Sequence, residues 1–175
     1  RMGQYFFRAA ADRSSELVQT KSIALVDALA TLVGGRAAIA SVPAQPSAPP
    51  EMQLLRDALE VAESAVTYEA ANVFQFDFAN EFWFAALPDK GRAFVHQAAS
   101  AAEAEALFKA LLDEQSYDYE TVETNESKAI LKHNFLKTLF VVERREAAIF
   151  GVDNAPDAEG AAATHERLRS SLSGE

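Results

Sequence analysis

Phe82, Trp83 and Phe84 stand side by side, and three consecutive aromatic residues fit a buried strand better than any other element. Side chains alternate across a strand, so Phe82 and Phe84 share one face while Trp83 takes the other. Both faces of the sheet holding this strand therefore carry aromatic area. Phe74, Phe76 and Phe78 precede it at alternate positions, which predicts a further extended piece, with Asn80 as the break between the two.

The flanking chain supplies the rest of a sheet. Leu87 to Gly91, with Pro88 early and Gly91 late, reads as a hairpin loop leading to a strand over Arg92 to Gln97. Ser100 and Glu103 have the spacing of a capping box and open a helix to about Leu112, its apolar stripe being Ala104, Leu107, Phe108 and Leu111. After Tyr117 and Tyr119 comes a polar stretch. Strands are then expected near Ala129 to His133, Leu136 to Glu143 and Ala147 to Val152, forming an antiparallel meander. A last helix is expected to start at Pro156, with acids Asp157 and Glu159 in its first turn and Arg167 and Arg169 near its end, as the helix dipole favours.

On the N-terminal side, Gly3 to Ala9 predicts a strand, and a helix follows to about Val33, ended by Gly34 and Gly35. Val42 to Pro50 holds four of the six prolines and reads as a linker, and Glu51 to Ala65 predicts a short helix. Three segments result: 1–41 as a strand and helix, 42–50 as linker, and 51–175 as a complete α+β unit.

Gly3 to Gly34 and Ala147 to Gly174 each spell a strand, a polar turn and a helix, which predicts a repeat whose first copy begins upstream of Arg1. The chain resembles an uncharacterised bacterial family, usually exported, built of two tandem α+β repeats. The resemblance rests on Ser64, Tyr68, Asn72 and the Phe74 to Phe78 run after a proline-bearing linker. It rests also on the Ala-rich helix with Glu103 and Ala104, and on Ala147 to Val152 before the closing helix. It implies a periplasmic or extracellular location and carries no catalytic residue over. The family's Gly-rich segment has no match here, and Val61 to Glu63 stand where a Pro-Gly turn is expected.

Charge and composition exclude several functions. The 16 basic and 26 acidic residues leave a net charge of -10, with no basic stripe to attract nucleic acid or anionic lipid. Arg144 and Arg145 sit beside Glu143 and Glu146 and read as a solvated hairpin tip. The absence of cysteine rules out disulfides, thiolate metal sites and a catalytic thiol. No apolar run approaches the roughly 20 residues of a spanning helix.

No metal or cofactor is expected. His96, His133 and His165 show no helical metal spacing, and His165 falls in line with Ala161, Leu168 and Leu172 as a residue covering the core edge. The carboxylates from Asp113 to Glu126 lack the turn-forming Gly of a calcium loop and read as a solvated acidic loop. Neither a nucleophile elbow nor a Gly-rich phosphate loop occurs.

The expected fold is α+β: an antiparallel sheet with the helices near Ser100 and Pro156 packed on one face. The rings are then either core between sheet and helices, or a surface toward a partner. The second reading gives an exported, non-catalytic binding or assembly module, contacting a partner protein or a neighbouring repeat through Trp83, Phe82 and Phe84. An alternative is a small-ligand carrier or hydrolase with a pocket lined by Tyr68, Phe74 and His96.

Overall fold

Alternating apolar residues set the centre of the sheet. In the computed structural model, which describes residues 48–88 and 91–173, Phe82–Ala86 (β2) turns back into Arg92–Gln97 (β3), the Leu87 amide donating to the Gly91 carbonyl at 2.9 Å. Lys128–His133 (β5), Leu139–Arg145 (β6) and Ala148–Ala155 (β7) form the expected antiparallel meander. Two strands join at the rims. They are Val66–Glu69 (β1), paired with β2, and Tyr119–Thr124 (β4), paired with β5. The seven strands run in the order β1-β2-β3-β7-β6-β5-β4, every neighbouring pair antiparallel.

Among the described residues three α-helices cover the sheet, and they do not share a face. Ala101–Gln115 (α2) starts at Ser100, whose hydroxyl accepts from the Glu103 amide, and buries Ala104, Phe108 and Leu111. These side chains share a core with Phe82, Phe84, Phe94, Phe140, Val142 and Ile149. Pro50–Leu59 (α1) and Ala158–Leu172 (α3) pack on the opposite face. Met52 and Leu55 of α1 and Leu168 of α3 meet Trp83, Ala85, Val95 and Phe150 there. The α+β class and the antiparallel sheet stand, but the placement of the Ser100 and Pro156 helices on one face is corrected: β2 and its neighbours are apolar on both sides, and each side takes its own helix layer.

The ends of the helices follow local chemistry. Asp157, not a residue inside the first turn, caps α3 by accepting from the Gly160 amide at 2.8 Å, so Pro156 lies just ahead of the cap. Helix α1 stops at Glu60, which adopts a left-handed conformation with φ 56°, so the helix predicted to Ala65 ends earlier.

The Phe74 to Phe78 run departs most from expectation. It forms no strand. Val73–Gln75 is a 3₁₀ turn in which Phe74 and Gln75 have φ of 54° and 68°. Left-handed geometry costs a non-glycine residue on the order of 1 kcal/mol or more. Burial offsets it at Phe74, whose ring meets Phe82, Phe84, Phe94 and Phe140 edge-on at centroid distances from 5.2 to 5.8 Å.

Ala48–Glu175 is one compact unit. The expected strand and helix of Gly3 to Gly34, the comparison with the closing unit, and the linker as far as Ser47 lie outside the described residues.

Candidate functional site

The six residues singled out from the sequence fall on both faces of the sheet. Phe82 and Phe84 are 0% and 1% exposed, under α2. Trp83 is 9% exposed and lies under α1. A docking face formed by these three rings is thus corrected to core, because the short helix α1 covers the side of β2 that α2 does not reach. Tyr68 lies across the β1–β2 ladder from Trp83, their ring centroids 4.9 Å apart. Burial and the nearby Glu81 and Glu51 carboxylates push the Tyr68 phenol up. Phe74 and His96 belong to the α2 side, where the His96 ring stacks on Phe82 at 4.8 Å. One pocket lined by Tyr68, Phe74 and His96 is therefore not formed; the sheet separates Tyr68 from the other two.

Large apolar side chains are instead exposed at the β4–β5 rim. Phe135, Leu136 and Tyr117 are 82%, 66% and 81% exposed. The backbone brings them together. Tyr119 pairs with His133 across the ladder, and the Asn134 amide donates to the Asp118 carbonyl at 2.8 Å. Phe135 and Leu136 occupy the tip of the β5–β6 hairpin, closed by the His133 amide donating to Thr138 and the Lys137 amide donating to His133. Lys137 takes φ 60° to make the turn.

His133 holds this tip in shape. Its Nδ1 accepts from the amides of Phe135 at 3.1 Å and Leu136 at 3.4 Å, so Nδ1 is the unprotonated ring nitrogen. The ring leans on Tyr119 at 4.8 Å, and Tyr119 in turn packs on Phe140. Burial, with Asp153 and Asp118 adding to it, pushes the Tyr119 phenol up to about 12. The tip is thus tied to the core through two aromatic rings. The strand expected from Leu136 starts instead at Leu139, and Phe135 had no expected role; the signal in the sequence is two adjacent large apolar residues between the turn-forming Asn134 and Lys137.

A second cluster sits where α3 crosses β6. His165 is 3% exposed, its ring stacked on Phe150 at 5.4 Å. His165 Nε2 lies 3.1 Å from Glu143 Oε2 but makes no hydrogen bond, while Arg169 Nε lies 3.6 Å from Glu143 Oε1. Burial pushes His165 down to about 4, with the Lys128 and Arg169 charges acting in the same direction. Glu143 is therefore not part of a solvated hairpin tip, although Arg145 and Glu146 are exposed there. His165 lies inside the core rather than at its edge.

The acidic stretch takes a different form from the loop expected. Glu120 and Glu123 belong to the rim strand β4, whose residues Glu120 to Thr124 are all exposed. Among the described residues, no group of three or more His, Asp or Glu side chains converges to hold a metal ion, and no helix is long and apolar enough to cross a membrane. No protein-family model matches the chain, and neither a curated protein nor a solved structure matches it.

Proposed function

We propose that this chain is a non-catalytic binding module that docks a partner protein with the Phe135–Leu136 hairpin tip and Tyr117, in the exported setting that the family resemblance implies. One observation carries the reading. Two adjacent large apolar side chains project from a hairpin whose shape is fixed by the His133 ring, while Phe82, Trp83, Phe84, Phe94, Phe140 and Phe150 of the sheet are packed in the core. A single exposed leucine is ordinary, but a preformed apolar projection of three residues resembles the central contact of an interface. Because the tip is already ordered, docking loses little conformational entropy.

Seating Phe135 and Leu136 in a partner pocket is worth about 4 kcal/mol of apolar burial. The test is photo-crosslinking in the native host from a photoreactive phenylalanine at position 135, with position 126 as control. The proposal expects one discrete adduct from 135 and none from 126. The purified partner, once identified from that adduct, should bind the Phe135→Ser/Leu136→Ser variant about a hundredfold more weakly. Equal adducts from both positions, or unchanged affinity of the variant, would remove the basis of the proposal.

A further inference from the structure

On the α2 side, away from the hairpin tip, a pocket of about 390 Å³ opens between α2 and the loop that leads into β2. That volume lies within the range of small-molecule sites. Phe78 and Leu107 form apolar walls, and three alanines, Ala98, Ala106 and Ala110, leave the space between them unfilled. The Phe78 ring is stacked against Phe76 at 5.3 Å with an interplanar angle of 6°, so it presents a flat aromatic surface.

The polar groups in this pocket are nearly all acceptors. Its titratable residues among those described are Glu81, Glu103 and His96, and among the described residues no lysine or arginine lines it. His96 Nδ1 lies 3.2 Å from the Glu81 carbonyl oxygen, which can only accept, so Nδ1 carries a proton and Nε2 is the ring nitrogen that holds the lone pair in that tautomer. Asn80 is engaged inside the loop, its Nδ2 donating to the Asp77 carbonyl and its Oδ1 accepting from the Asn72 amide. The nearest basic residue of α2 is taken too: Lys109 pairs with Glu105 at 2.6 Å.

One lining residue, Glu81, has positive φ, as do Asn72, Phe74 and Gln75 in the same loop behind the pocket; such conformations persist where the surrounding structure fixes them. The loop places the Glu81 carbonyl against His96 and brings Phe78 into the same lining as Leu107.

We propose that the pocket binds a small organic cation, an apolar body bearing a primary ammonium or a guanidinium group. The cationic head would lie among Glu81, Glu103 and His96 Nε2, donating to acceptors that no donor among the described lining residues satisfies, and the body would lie against Phe78 and Leu107. The site is independent of the hairpin tip.

Titration of the full chain with phenethylammonium, followed by amide NMR shifts, tests it. The expected result is saturable binding with shifts at Phe78, His96, Ala106 and Ala110 and none at Tyr117 or Phe135. 2-Phenylethanol, nearly the same shape without the charge, should bind about tenfold more weakly, and phenylacetate weaker still. Glu81→Gln/Glu103→Gln, at exposed positions, should keep the melting temperature and lose about tenfold in phenethylammonium affinity. Equal or tighter binding of the alcohol or the acid, shifts elsewhere on the chain, or no saturation by the ammonium compound would overturn the proposal, and none of these results bears on docking at Phe135.

Discussion

Gly151 lies directly across the β3–β7 ladder from Phe94, and the Phe94 ring occupies the space that a side chain on Gly151 would need. A Cβ there would stand 2.8 Å from Phe94 Cζ and would also meet the backbone carbonyl oxygen of Val141 in β6. The ring can tilt, but the backbone of a central strand has nowhere to go. Gly151→Ala is therefore expected to destabilise the unit by about 3 kcal/mol in urea unfolding. A change below about 0.5 kcal/mol would show that this close approach is not a constraint.

Trp83 gives the complementary test of the two-layered cover. With the ring buried beneath α1 and beside Tyr68, Trp83→Ala should cost about 3 to 5 kcal/mol of stability, the range for removing a large core aromatic. A variant as stable as the parent would mean that the ring is not core, and would revive the idea of Trp83 as a contact surface.

His165 should make the unit sensitive to acid. Its imidazole is ordinary in the unfolded chain, at 6.5, and held down to about 4 in the folded one. Above about pH 6.5 neither state carries the proton and the stabilisation is complete. As pH falls from 6.5 toward 4 the unfolded state takes up a proton that the folded state does not, so stability drops, by a total on the order of 3 kcal/mol. Lys128 and Arg169 face the ring and oppose its protonation, while Glu143 Oε2 at 3.1 Å makes this loss an upper bound. His165→Phe should flatten the stability profile in that window, and an unchanged slope would assign the acid sensitivity to other groups.

What could be read from the sequence, and what could not, divides along physical lines. Strands β2, β3, β6 and β7 and helix α2 were legible because their apolar spacing and the Ser100 cap are local signals that tertiary packing reinforced. Strand β4 was not. Its residues sit at a rim, exposed on almost every side, and a strand that buries nothing needs no apolar alternation. The Phe74 to Phe78 alternation misled for the opposite reason. Phe74 reaches the ring cluster by a left-handed turn, which leaves the same spacing in the sequence as an extended segment. Which face each helix takes is likewise absent from local pattern. Trp83 announced a second covered face, but nothing in its neighbourhood identified α1 as the cover. The hairpin tip was lost because one side chain's role there, that of the His133 ring, depends on hydrogen bonds to amides that only the closed turn brings within reach.

The tip itself should be fixed without being a source of global stability. Phe135→Ser/Leu136→Ser is expected to change the unfolding free energy by less than about 0.5 kcal/mol, since both side chains are exposed. His133→Ala should raise hydrogen exchange at the amides of Phe135 and Leu136 while leaving those of β6 and β7 protected. Unchanged exchange at the two amides would mean that the ring is not what holds the turn.

Docking at the hairpin tip is measured by hydrogen exchange of the full chain with and without the partner crosslinked at position 135. New protection is expected only at Tyr117 and at His133 through Lys137, with α1, α3 and the Phe78–Leu107 pocket unaffected. Protection that falls instead on α1 and α3, with the hairpin exchanging as freely as before, would contradict docking at the tip.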